Sequence, residues 1–425
     1  MHATPVLEIG FATSTGEYFV LGSGTNGILG TNVLAAGRGL VPVWTDVSAW
    51  LRHFDYTRGR QRQTDTFPAG TMNLVLRNLD GRFSPTNLSG PYVTGGVTQI
   101  KPGIAVRLSV LFNSVKRVRF YGYVSSWLNP VDRDVPDFMM ANVTVVDAFQ
   151  QLARQVLPVG SPVGGGELSG ARIYRILDAA GFDAGLRDID TGLSTLQASD
   201  LSGNVLQSLQ LVADSENGMI YMSESGVVTF RSRYARITRT ASVTSQETFG
   251  DGGAAIGEDP YSAVVPAYDD TLVINTAQYT RVGGQTQIAT DALSVDDYGA
   301  ITDVKTGLLN QTDGEVASAA GWVVGRFSQP ELRIDSVTIQ PERLPGNLWT
   351  EVGFRTIDDR VTVKFRPSAG DMITQDLFIE SIAETWDIND TWSTTYGTSN
   401  AAAFIPFFIL GSSTQGVLGV NRLAY

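Results

Sequence analysis

In Thr71-Met-Asn-Leu-Val-Leu-Arg-Asn-Leu-Asp-Gly81, Met72, Leu74 and Leu76 alternate with Asn73, Val75 and Arg77 until Asp80-Gly81 interrupts the run. A period of two marks a strand with one buried face, and Asp-Gly is a turn signal. Outward from there the pattern repeats. Val106, Leu108 and Val110 alternate again, and Arg119, Tyr121 and Tyr123 make a third set. Ser89-Gly90-Pro91, Gly95-Gly96 and Lys101-Pro102-Gly103 fall between as turns. Val41 to about Val146 therefore reads as β, in a barrel or sandwich.

The period then changes. Val145, Phe149, Leu152 and Val156 recur at three to four residues, which predicts a helix ended by Pro158. After a Gly-rich linker, Ile173, Ile176, Leu177 and Ala180 form a second amphipathic stretch, stopped by Gly181. Val205, Leu209, Val212 and Ala213 form a third, stopped by Gly218, and a hairpin of Met219–Met222 with Val227–Phe230 follows. Beyond Ala241 the pattern is mostly β, with one helix expected over 314–326. The expected fold class is mainly β with an α/β insertion. The expected organisation is an N-terminal segment 1–40, a β domain 41–157 ending in a helix, an α/β module 158–240, a second β domain 241–400 and a C-terminal segment 401–425.

The two ends carry a repeat. Residues 19–35 and 408–424 align without a gap, with 11 of 17 positions identical. Each copy reads as a short apolar strand, a Gly/Ser turn and a second Gly-punctuated strand, so the two predict one docking hairpin used twice. Its candidate contact residues are Phe19, Leu21 and Leu29 in the first copy, and Phe408, Leu410, Leu418 and Leu423 in the second. Gly22-Ser-Gly-Thr-Asn-Gly27 matches a dinucleotide fingerprint, but the strand-like Ile28-Leu-Gly-Thr-Asn32 follows where a helix is needed. A hairpin turn is the preferred reading, and no cofactor is expected.

Composition narrows the function. Acidic residues outnumber basic ones 43 to 31, which opposes wrapping of nucleic acid through its phosphates. Cys is absent and only His2 and His53 occur, so thiolate metal sites and multi-His zinc sites are not expected. The longest apolar run, Ala401 to Leu410, contains Pro406 and is half the length a bilayer span needs, so stable membrane insertion is not expected. Met1 to Gly10 lacks the pattern of a signal peptide.

Several constellations invite chemistry. Arg58, Arg60 and Arg62 share one face if they lie on a strand, and between flanking Asp55 and Asp65 they read better as interface or surface ion-pairing residues than as a phosphate stripe. Asp188-Ile-Asp190 resembles part of a calcium loop but lacks its other ligands, so a turn is the better reading. Asp269-Asp270, Asp296-Asp297 and Asp358-Asp359 read as solvated loop pairs rather than acid/base partners. The seven Trp are scattered beside apolar positions, which favours buried anchors over a sugar platform. No nucleophile elbow, P-loop or H-E-x-x-H motif occurs, and an enzyme is not expected.

One family gathers these features. Asp46-Val-Ser48, Arg58-Gly-Arg60, Ala69-Gly-Thr71, Leu76-Arg-Asn-Leu-Asp-Gly-Arg-Phe-Ser-Pro85, Asn87, Ser89-Gly-Pro-Tyr92 and Pro102-Gly103 resemble minor tail proteins of long-tailed phages, especially those of actinobacterial hosts. So do Leu206 to Arg231, with Ser215-Glu216 before Gly218, and the terminal Gly-rich hairpin. The resemblance implies a baseplate hub of two tube-protein-like β domains (barrel or sandwich) with an α/β insertion. It implies a homotrimer forming a ring around the tail channel at the distal end of the virion tail, assembled in the host cytoplasm. Its implied neighbours are the distal tail protein, the tape measure protein and tail-tip fibre or spike proteins, with DNA passing through during ejection without specific binding. The alternatives are a tail adhesin binding host glycan, a cell-wall hydrolase, or a hexameric distal tail protein.

Overall fold

The computed structural model describes residues 3–14, 41–130, 139–252, 256–343, 348–389 and 391–401. Thirteen strands form one sheet. Its main path runs Ala263–Ala267, Arg333–Ile339, Thr391–Asn400, Ile373–Asp387, Leu51–Gly59, Thr71–Arg77, Met140–Val146, Val115–Leu128, Ala105–Phe112, Thr4–Ser14 and Val41–Asp46. Thr248–Gly250 and Arg360–Phe365 pair in parallel beside it and join through Ile373–Asp387. The fold is mainly β with α/β insertions. The two β regions expected from the sequence meet in a shared ladder: Leu51–Gly59 pairs antiparallel with Ile373–Asp387, from Ser381 opposite Gly59 to Asp387 opposite His53.

Burial explains this continuity. The alternation at 71–77 holds, with Met72, Leu74 and Leu76 buried and Thr71, Asn73 and Arg77 exposed. Phe54 and Tyr56 on the neighbouring strand face the same way, and so do Ile382 and Trp386 across the seam. One apolar cluster therefore runs under both regions. Each large side chain buried in it stabilises by roughly 1.5–3 kcal/mol relative to exposure. Phe54 stacks on Trp386 at 5.9 Å and meets Trp392 edge-on at 5.3 Å, while Trp392 meets Trp349 edge-on at 5.5 Å. Trp349, Trp386 and Trp392 are buried anchors, whereas Trp322 is largely exposed.

The α/β module follows the expected helices with shifted ends. Val145 lies in a strand that runs to Val146, and the first helix is Ala148–Arg154. Asp147 is the reason: its Oδ1 accepts from the Phe149 N–H at 2.9 Å and its Oδ2 from the Gly70 N–H at 2.6 Å. A capping carboxylate thus starts the helix three residues later than the apolar spacing suggests. Asp147→Ala should lower stability by about 1–3 kcal/mol, because both N–H groups lose their acceptor. Denaturant unfolding measures this as a shift in midpoint. Helices Ser169–Ala179 and Val205–Glu216 pack on the hairpin Met219–Met222/Val228–Arg231 around a second core.

Residues 241–400, expected as a second β domain, contain another α/β unit. Gln287–Thr290, Thr276–Arg281 and Thr302–Leu308 form a three-stranded sheet, and helix Asp313–Phe327 packs on it through a third core. Helix Ala292–Tyr298 carries Asp296 and Asp297, so this carboxylate pair is helical rather than in a loop. Asp80-Gly81 does turn the chain, with the Gly81 N–H donating to the Asn78 carbonyl at 3.0 Å. It opens a long ordered loop rather than a tight hairpin. Within that loop Asn78 Oδ1 accepts from the Phe83 N–H at 2.8 Å, and Phe83 is buried in the main core. Among the described residues no helix is long and apolar enough to cross a membrane.

Candidate functional site

The two faces of the seam differ sharply. Outward-facing residues line up across strands in registered rows. One row runs Ser393, Thr385, Asp55, Asn73, Thr144 and Ser126 over six strands. The next runs Thr338, Thr395, Ala383, Thr57 and Thr71. A third runs Thr391, Asp387, His53, Val75, Asn142 and Leu128. Each of these side chains is exposed or half-buried. The rows contain no Arg or Lys, and their only carboxylates are Asp55 and Asp387. Hydrogen bonds knit them laterally: Asn73 Nδ2 donates to Asp55 Oδ2 at 2.9 Å, and the Thr338 and Thr395 hydroxyls lie 2.9 Å apart. The result is a low, small-residue, polar surface spanning both β regions.

The opposite face carries a charged layer where the α/β module meets the sheet. Arg58 and Arg60 lie here, so their assignment to an interface between subunits is corrected. Both are almost fully buried within their own chain. Arg58 Nη1 is 3.3 Å from Glu224, and Arg60 Nε donates to Glu380 Oε2 at 2.8 Å. Arg236 completes the layer, donating through Nε to Asp358 at 2.8 Å and lying 2.7 Å from Glu380 Oε1. Arg119 donates to Glu384 at 2.7 Å. Burial alone raises the Glu380 pKa, but Arg236 and Arg60 outweigh it and hold the carboxyl at about 2. The acidic partners anticipated for the Arg stripe exist, but inside the chain. Arg62 is different: it is exposed in a turn closed by Asp65, whose N–H donates to the Arg62 carbonyl at 3.0 Å.

The Arg58-Gly-Arg60 motif now has a physical basis. Gly59 has φ +103°, and a Cβ there would lie 2.2 Å from the Glu380 carbonyl oxygen. The glycine lets the strand end turn so that two successive arginines both point inward. Gly59→Ala should cost about 2–4 kcal/mol through backbone strain and overlap; thermal unfolding of the variant checks this.

Other sequence motifs resolve as structural ties. Ser215-Glu216 fastens loops: Glu216 Oε2 accepts from the Ser194 N–H at 2.6 Å and the Leu193 N–H at 3.0 Å, and Ser215 Oγ accepts from the Leu309 N–H at 2.9 Å. Asp188 and Asp190 both pair with Arg231, so a guanidinium supplies the cation between them. Among the described residues no group of three or more His, Asp or Glu is arranged to hold a metal. Asp358 and Asp359, read as a solvated pair, are buried, and Asp269 pairs with Arg333. Separation in sequence hid these pairs: Arg60 and Glu380 are 320 residues apart. Phe19, Leu21, Leu29, Phe408, Leu410, Leu418, Leu423 and the G-x-G-x-x-G stretch lie outside the described residues.

A mainly β chain with one sheet running through two β regions and α/β insertions on one side is a fold known from tail proteins. The 43 kDa tail protein of prophage MuSo2 from Shewanella oneidensis shares it, with a TM-score of 0.55, 12% identity, and coverage of 94% of this chain and 98% of that one. The tail protein from Neisseria meningitidis MC58 shares it with a TM-score of 0.56, 9% identity, and coverage of 94% and 97%. At such identities the likeness is one of fold. No family model matches the chain, and no curated protein matches it in sequence.

Proposed function

We propose that the chain is a structural subunit of a phage tail tip, a hub that closes as a homotrimer into a ring around the tail channel. The observation that carries this reading is the outward face of the seam, where the three registered rows contain no Arg or Lys and the exposed Arg77 lies beyond them. Each phosphate neutralised by a basic side chain adds salt-sensitive affinity for DNA. A bore lined by Ser, Thr, Asn and Asp offers hydrogen bonds to water and little attraction to phosphate, so DNA slides past it. The fold shared along nearly the whole length of two tail proteins supports the same role. On this reading Arg58 and Arg60 lie behind the bore wall, and Arg62 is available to a neighbour.

The proposed neighbours are the distal tail protein, the tape measure protein and tip fibres or a spike. The apolar hairpin repeats, through Phe19, Leu21, Leu29, Phe408, Leu410, Leu418 and Leu423, are proposed to dock against them or against another subunit. The trimer is tested by native mass measurement of the purified assembly. Three copies are expected, whereas six would favour a distal tail protein. A gel-shift with duplex DNA at physiological salt should show no stable complex. Tight binding would contradict a sliding bore.

A further inference from the structure

Three parts of the fold leave a cleft between them. Its larger cavity, about 120 Å³, lies between the 60–67 stretch, the α/β module and the second α/β unit, with Phe67, Met219, Ile274, Trp322 and Phe327 among its apolar walls. A smaller cavity of about 30 Å³ adjoins it, and Gln63 and Phe327 line both. Asn400, the last residue of strand Thr391–Asn400, lines the smaller one together with Leu272, Val273 and Pro330. The Asn400 side chain donates to Glu331 at 2.9 Å, and the Ala401 N–H donates to the Asp376 carbonyl at 2.8 Å. The chain is therefore held beside the cleft at the point where its C-terminal segment begins.

We propose that this cleft is the seat of the chain's own segment 402–407, with the rings of Phe404 and Phe407 set against Phe327 and Trp322. Length allows it. Phe404 lies within roughly 10–11 Å of extended chain from Ala401, and Phe407 within roughly 20–22 Å. Charge favours it. The cations lining the larger cavity are matched inside the chain, Arg60 with Glu380, Arg233 with Glu216, Arg236 with Asp358 and Lys305 with Asp214. The cleft thus offers no unbalanced positive charge to a phosphate or carboxylate ligand, and an uncharged occupant suits it. Residues 402–421 contain no charged side chain, and Ala401 to Leu410 is the longest apolar run in the sequence.

Size and conformation agree. An apolar cavity of roughly 150 Å³ admits a benzene ring, so the larger cavity has room for one aromatic side chain. A second ring lies against Trp322, which is 42% exposed at the cavity wall. Pro406 biases Ile405 toward an extended backbone, the form a segment takes along a groove. A short tether also raises the local concentration of the segment to about the millimolar range, which favours the chain's own copy over that of another subunit. Seated there, the segment bridges the sheet and both α/β units and fixes where residues 408–424 leave the rest of the chain. The seat goes beyond the tail-tip reading and does not depend on it.

The absence of Cys from the sequence makes a clean test possible. Full-length protein carrying Gln63→Cys and Ala403→Cys is treated with a short bismaleimide, and the products are separated under denaturing conditions. Cross-linking within one chain is expected, with a yield at least tenfold above that of an Asn73→Cys/Ala403→Cys control, because Asn73 is exposed on the opposite face of the sheet. Adding Phe404→Ser and Phe407→Ser to the first pair should cut its yield at least fivefold. Equal yields for the two cysteine pairs would overturn the proposal, and so would a yield unaffected by the serine replacements. Covalent dimers in place of cross-linked single chains would also overturn it, since the cleft would then hold the segment of another subunit.

Discussion

Glu380→Ala should lower the unfolding free energy by about 3–5 kcal/mol, because it leaves two buried guanidinium groups, Arg60 and Arg236, without their shared carboxylate. Ser399 also loses its acceptor, at 2.5 Å. The same residue sets an acid limit. Its carboxyl is held at about 2 in the folded chain, against 4.5 ordinarily, so the folded state binds the proton more weakly than the unfolded one. That contribution is fully present above pH 4.5 and disappears as pH falls toward 2. Denaturant titrations between pH 7 and pH 3 should show this loss in the unmodified protein, and Glu380→Gln should flatten that part of the curve. An unchanged curve would mean that the charged layer does not contribute as described.

Trp392→Ala should cost about 3–5 kcal/mol. The indole is 1% exposed and fills the seam between Phe54 and Trp349. Its loss opens a cavity where the two β regions share their core, so both should weaken together in one cooperative transition. A tryptophan serving as an exposed sugar platform would behave otherwise, with binding lost and the unfolding midpoint unmoved. Chemical unfolding followed by tryptophan fluorescence and by circular dichroism should give coincident transitions. Separate transitions would show that the two regions are independent domains.

Local alternation made much of the fold legible. The 71–77 strand, the 205–216 helix, the 219–231 hairpin and the helix near 314–326 all follow from apolar periodicity that tertiary contacts reinforce. The joining of two β regions into one sheet was not legible, because no period in residues 51–59 announces a partner at 381–387. The buried ion pairs were hidden for a related reason. Arg58 and Arg60 look solvated beside Asp55 and Asp65, and only the fold brings Glu224 and Glu380 to them. Asp358 and Asp359 look solvated by the same logic, since adjacent carboxylates favour water unless distant arginines meet them. The outward face of the seam carries no motif at all. Its signal is the absence of Arg and Lys from three rows, which becomes visible only when register aligns them.

The most direct measurement is a cryo-EM reconstruction of the assembled tail tip containing this chain. If the chain is the proposed hub, a threefold ring is expected in which Asp55, Asn73, Thr385 and Thr144 face the lumen, with Arg58 and Arg60 enclosed behind them. A ring whose lumen is lined by the opposite side of the chain, or an assembly in which these rows face outward to solvent, would contradict it.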